Sequence, residues 1–302
     1  MLAKKVLPRI LAAKQNRPRC AHLSYSLDID PYLYFTRHMD MPVLRTVIIS
    51  IAGAAFLSAS TAFACCTEVE AREALIAGNF DLAVSAAPQL GTNEAKLIAA
   101  EALNAKVLLG LAGDDKDAAK EALALAQSVL AADPDNKEAQ FQYALADGFI
   151  TRATSPFKAW RKKLPQKTKG LVDALCESTP EDGRAYALLG AWHMGILRKT
   201  GEKNGNKWFG ANLAEGQAAY DDALTLRPQD IIITSNYALS LAELDFDANG
   251  PRARTMLVGV LAAAPKDAVE REVQSRMRDI LNLWDDEKAR MKRIEQFLDG
   301  KG

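Results

Sequence analysis

Histidine and cysteine are scarce in this chain, three and four of 302 residues, and the scarcity removes whole classes of chemistry. Beyond residue 64 only His193 remains, and the repeat pattern described below puts it where a core side chain belongs. Without a second histidine, or a close cysteine pair other than Cys65-Cys66, no transition-metal site assembles by spacing. Cys65, Cys66 and Cys176 are too few for a disulfide framework, although one bridge stays open in an oxidising compartment. G-x-S-x-G, H-E-x-x-H and the Gly-Lys-Ser/Thr ending of a phosphate loop are all missing. Adjacent acids such as Asp114-Asp115 and Asp221-Asp222 are expected at helix starts, where the dipole favours them. Neither catalysis nor a cofactor is expected. Aromatics reach only 7% and β-branched runs are few, a composition of stacked helices rather than of sheets.

What the chain does have is apolar bulk, 49% of residues and rich in alanine and leucine, as in stacked helices. Its charge is unevenly divided. The first 64 residues hold eight Lys/Arg and three Asp/Glu, leaving 30 basic and 35 acidic residues beyond them. A mildly acidic remainder does not suit nucleic acid as a partner. Met41-Pro-Val-Leu-Arg45, the apolar run Thr46 to Ser60 and Ala62-Phe63-Ala64 read as the n-region, h-region and cleavage site of a signal peptide over 41–64. Residues 1–40, basic until Asp28, read as an upstream extension or a transit peptide. The remaining domain, 65–302, is then periplasmic or secreted. The alternative is a membrane anchor through 46–64, since that stretch approaches the ~18 residues at which a span becomes feasible. Cys65 and Cys66 at the cut also raise lipidation, against which stands bulky Phe63.

Four prolines follow helices alike: Leu130 precedes Pro134, Leu175 precedes Pro180, Leu224 precedes Pro228 and Leu261 precedes Pro265. Proline stops a helix because it lacks the N–H and clashes with the preceding turn. Ten residues after three of these prolines stand the small residues Ala144, Gly190 and Ala238, each behind a large one, Tyr143, Leu189 or Tyr237. That offset is where the tetratricopeptide pattern places its glycine. Ala122-x3-Ala126, Gly216-x3-Tyr220 and Ala253-x3-Leu257 occupy the A-x3-F positions of a second helix, and Gly78 to Ala83 suggests an earlier partial unit. The expected fold is all-α: a right-handed helical-hairpin solenoid of tetratricopeptide type, with hairpins near 67–88, 93–132, 137–178, 183–227 and 230–264. A charged C-terminal helix, Lys266 to Leu298, caps the last apolar face. A plain helical bundle shares part of this pattern.

Proline spacings of 46, 48 and 37 residues leave extra chain near 151–166 and 198–211. Both insertions lie between a first and a second helix, so they are expected on one edge. Arg152, Lys158, Arg161, Lys162, Lys163, Lys167 and Lys169 crowd the first, and Arg198, Lys199, Lys203 and Lys207 the second, with Glu202 as the one acid. Phe157, Trp160, Trp208 and Phe209 are interleaved with them. These rings either pin the insertions to the solenoid or form a basic, aromatic surface for an anionic group. The candidate edge comprises Arg152, Lys158, Trp160, Arg161, Lys162, Lys163, Lys203, Lys207 and Trp208.

Leu189-Gly190-Ala191-Trp192, Trp208-Phe209-Gly210 and Tyr220-x2-Ala223-Leu224-x3-Pro228 resemble the regulator of microtubule dynamics family of tetratricopeptide proteins over about 140 residues. The resemblance implies a repeat architecture with an insertion before the second helix, and a role in holding other molecules. Tubulin is not carried over, because an exported protein of bacterial type would not meet it. Two weaker signals remain. Gly201 to Gly210 reads as a flexible glycine-rich loop, and Asp245-Phe-Asp247-Ala-Asn249-Gly250 matches the first half of a calcium loop whose twelfth position is Met256 rather than glutamate. The reading is a non-enzymatic envelope scaffold that presents a concave groove to a protein or peptide and the basic edge to an anionic lipid or other polyanion. The alternative is a small-ligand carrier or enzyme with a site between the insertions and the groove.

Overall fold

Ten of the fourteen helices begin at a Ser/Thr/Asp/Asn-type cap whose side chain accepts a first-turn N–H, and in a computed structural model describing residues 67–301 they alternate as hairpins. No strand occurs among the described residues. In order they are α1 (Glu68–Ala77), α2 (Phe80–Leu90), α3 (Asn93–Leu108), α4 (Asp115–Ala132), α5 (Lys137–Arg152), α6 (Pro156–Arg161), α7 (Leu164–Ser178), α8 (Gly183–Thr200), α9 (Glu202–Phe209), α10 (Leu213–Leu226), α11 (Ile231–Leu244), α12 (Phe246–Ala262), α13 (Ala268–Asn282) and α14 (Glu287–Leu298). The expected signal peptide, the upstream extension, Cys65 and Cys66 lie outside the described residues. No helix among the described residues is long and apolar enough to cross a membrane.

The first helices α1, α3, α5, α8 and α11 pack on one another in succession, and each second helix packs on its own partner and on the next first helix. Ala144, Gly190 and Ala238, the small residues at the fixed offset, are all buried. At Gly190 the reason is explicit: a Cβ there would stand 2.5 Å from a Tyr220 ring carbon. That ring is fully buried and stacked on Tyr237, with centroids 4.7 Å apart and planes 8° from parallel.

The C-terminal segment departs from the expected single capping helix. It breaks at Leu283, where Trp284 turns inward against Phe246 and Asp286 caps a new helix through the Ala289 N–H. The resulting pair α13–α14 also does more than close the last hairpin, because it lies along the layer of first helices. Arg271 reaches the Ile76 carbonyl of α1, Arg276 donates to the Leu109 carbonyl beyond α3, and Gly300 abuts Arg152 of α5. Asp299 accepts from Lys199 of α8 at 2.8 Å, and its other oxygen lies 3.4 Å from Arg198. One apolar cluster therefore joins α1 to α3 with α11 to α14. Val273, Met277, Ile280, Ile294, Phe297 and Leu298 are buried in it; at about 1.5 to 3 kcal/mol per side chain, detaching the pair would cost on the order of 10 kcal/mol or more. That equals the whole stability of a typical domain, about 5 to 15 kcal/mol, so the pair is core rather than lid. The layer of first helices is thus covered in part by the chain's own C-terminal pair.

Candidate functional site

The two insertions fold as short helices, and neither has a capping side chain. α6 starts with Pro156 at its first turn, and α9 runs between Gly201 and Gly210, both at positive φ. The segment expected to be a flexible glycine-rich loop is thus largely helical. Gly205 makes this feasible, since a Cβ there would meet Leu197 at 2.7 Å as α9 lies back on α8.

Trp192, which the sequence offered only within the motif that carries the family resemblance, connects the insertions. Its indole N–H donates to the Pro165 carbonyl at 2.8 Å, next to the α6–α7 turn. Its ring belongs to a small apolar cluster with Leu197 and Ala211, onto which Phe209 packs from the end of α9. One buried side chain therefore ties both basic segments to α8.

The eleven basic residues divide into two groups. Lys167 bonds Asp147 at 2.6 Å, and that hydrogen bond raises its pKa despite desolvation. Lys169 bonds Asp173, Arg198 pairs with Glu243 and Asp299, and Lys199 with Asp299. Arg152 leaves the expected edge altogether. As the last residue of α5 it turns inward, its guanidinium 4.6 Å from the Phe149 ring centre and 3.4 Å from the Val107 carbonyl. Burial holds its pKa below the ordinary value against the pull of Asp115 and Asp299. Lys158, Arg161, Lys162, Lys163, Lys203 and Lys207 are exposed, and none has an ion pair among the described residues.

The aromatic residues divide in the same way. Phe209 is half-buried and pins α9, whereas Phe157, Trp160 and Trp208 are 68%, 52% and 55% exposed. These three are the exposed aromatic side chains among the described residues, and all stand on α6 and α9. Ala159 alone of α6 is buried, so the rings of Phe157 and Trp160, 6.3 Å apart, face solvent rather than fasten the insertion. Lys207 lies 5.1 Å from the centre of the Trp208 ring.

Lys163 carries a further cost. Its φ of 53° is left-handed, a conformation disfavoured by about 1 to 2 kcal/mol for a residue with a Cβ. Glycine would turn α6 into α7 with less strain.

The other candidates resolve into structural roles. His193 is buried between α8 and α10, and its Nδ1 accepts the Asn212 N–H at 3.1 Å. The proton of the neutral ring is therefore on Nε2, 3.5 Å from a Glu215 oxygen. Desolvation holds its pKa below the usual value although Glu215 opposes this. Asp245 caps α12 by accepting the Ala248 N–H, and Asp247 and Asn249 lie within that helix. Successive helical positions fan outward, so the alternate oxygens of the candidate calcium loop do not converge. No group of three metal-binding side chains forms among the described residues. Cys176 is half-buried, and desolvation pushes its thiol up to about 11, which leaves it unreactive at neutral pH.

No family model matches the chain. A search of the curated proteins likewise finds no match.

Proposed function

We propose that this chain is an exported, non-enzymatic scaffold of the cell envelope: a tetratricopeptide-type solenoid, akin in architecture to the regulator of microtubule dynamics family, that holds an anionic partner on the edge formed by α6 and α9. The coincidence of three exposed aromatics with six unpaired cations, four on the two short helices and Lys162 and Lys163 in the turn that follows α6, carries this reading. Cations without a carboxylate partner sum to a local positive field on a protein otherwise rich in acids, and solvent-facing rings supply contact area. Because α13–α14 lies along the first helices, the reading rests on this edge rather than on the concave groove. Repeat register supports the solenoid type through the Gly190–Tyr220 contact and the hairpin boundaries at Pro134, Pro180, Pro228 and Pro265. Photo-crosslinking in the native cell from positions 160 and 208 tests the proposal, and an edge that captures nothing contradicts it.

A further inference from the structure

The chemistry of the edge narrows the partner further. We infer that α6 and α9 form a peripheral docking surface for an anionic lipid bilayer, an inference that rests on the proposed anionic partner and specifies what it is.

Three observations favour a bilayer over a defined acidic peptide. First, five of the six unpaired cations are lysines, with Arg161 the exception. Arginine's planar fork suits bidentate recognition of one carboxylate or phosphate, whereas lysine's mobile, strongly hydrated charge suits a diffuse field. Second, the rings project from short surface helices. α6 packs on α7 and α9 on α8, and Phe157, Trp160 and Trp208 are each more than half exposed on them. Tryptophan and phenylalanine so placed beside lysines have the composition of interfacial segments, where rings enter the headgroup region and cations stay at its surface. Third, Lys163 keeps a side chain at a left-handed position that glycine would fill with less strain. Strain of that kind clusters at functional surfaces, and of the two non-glycine residues at positive φ among the described residues, Lys163 and Gln229, the former falls within the cationic cluster. Weak insertion combined with a cationic cluster is the two-signal arrangement that gives reversible membrane attachment.

The test uses the exported chain, residues 65–302, and vesicles of phosphatidylcholine, alone or mixed with phosphatidylglycerol. Co-sedimentation is expected with the mixed vesicles only, falling as salt rises, together with a blue shift of tryptophan emission. Each charge near the surface contributes roughly fivefold in affinity, so Arg161, Lys162, Lys163 and Lys207 all changed to Glu should reduce binding by at least several hundred-fold. Trp160→Ala with Trp208→Ala should abolish the blue shift while leaving the salt dependence. Lys163→Gly guards against misfolding as the cause of lost binding: it should be at least as stable as the parent yet bind about fivefold more weakly. Equal binding to neutral vesicles, or undiminished binding by the quadruple variant, overturns the inference. If the chain ignores mixed vesicles yet crosslinks through the edge to an acidic protein, the bilayer inference fails and the scaffold reading stands. If neither vesicles nor proteins bind, both fail.

Discussion

Alanine at position 190 tests the helix contact that defines the repeat. Helices normally gain about 0.5 to 1 kcal/mol from Gly→Ala, through reduced backbone freedom in the unfolded chain. At Gly190 the new Cβ would stand 2.5 Å from one Tyr220 ring carbon and 2.8 Å from two others. The ring cannot withdraw, because it is buried and stacked on Tyr237. Overpacking of that kind costs about 1 to 3 kcal/mol, so the gain is cancelled or reversed. Gly195 on the same helix supplies the control, since a Cβ there meets nothing within 4 Å. Urea unfolding followed by circular dichroism should place Gly195→Ala above the parent and Gly190→Ala lower than Gly195→Ala by about 1 to 3 kcal/mol, with the denaturant slope unchanged. Tyr220→Leu should recover part of the loss in the Gly190→Ala background, as a coupled pair requires. Equal midpoints for the two alanine variants would refute the reasoning.

Two further outcomes follow from the core. The unfolded chain protonates His193 near pH ~6.5, above the lowered folded value, so His193's contribution to stability is complete above that pH and declines as pH falls toward the folded value. His193→Gln keeps an acceptor for the Asn212 N–H but does not titrate, and should flatten this slope; an identical slope in both proteins would rule out the histidine. Removing residues from Lys266 onward should abolish cooperative unfolding rather than open a peptide groove, because the lost burial is on the order of 10 kcal/mol. A truncated chain that melts sharply near the parent would show the pair to be dispensable.

Most of the hairpin order was legible in the sequence because its signals are local. Pro134, Pro180, Pro228 and Pro265 stop helices by covalent chemistry, and the caps Asn136, Asp182, Asp230 and Asp267 start them soon afterwards. The short helices were not legible because α6 and α9 lack capping side chains, and α9 is held by the tertiary contact of Gly205 with Leu197. The fold-back of α13–α14 was hidden for a different reason. An amphipathic pattern shows that a helix has an apolar face, but not that the face covers residues some 170 positions earlier, as Arg276 at Leu109 does. Charge density marked out the candidate edge, yet it placed Arg152 there too. Direction of a side chain at a helix end depends on its neighbours, and those are Phe149, Val107 and Gly300.

The edge itself is best tested by position-specific photo-crosslinking in the native cell, with the probe at position 160, 208 or, as a control, 258. Val258 on α12 is as exposed as the two tryptophans, at 54%, but has Arg254 one helical turn away in place of a cluster of lysines. Crosslinks to phospholipid or to an acidic protein from positions 160 and 208, lost on charge reversal at Arg161, Lys162, Lys163 and Lys207 and absent from position 258, are the expected result. Equal yields at all three positions, or yields at 160 and 208 that charge reversal leaves unchanged, would contradict the account.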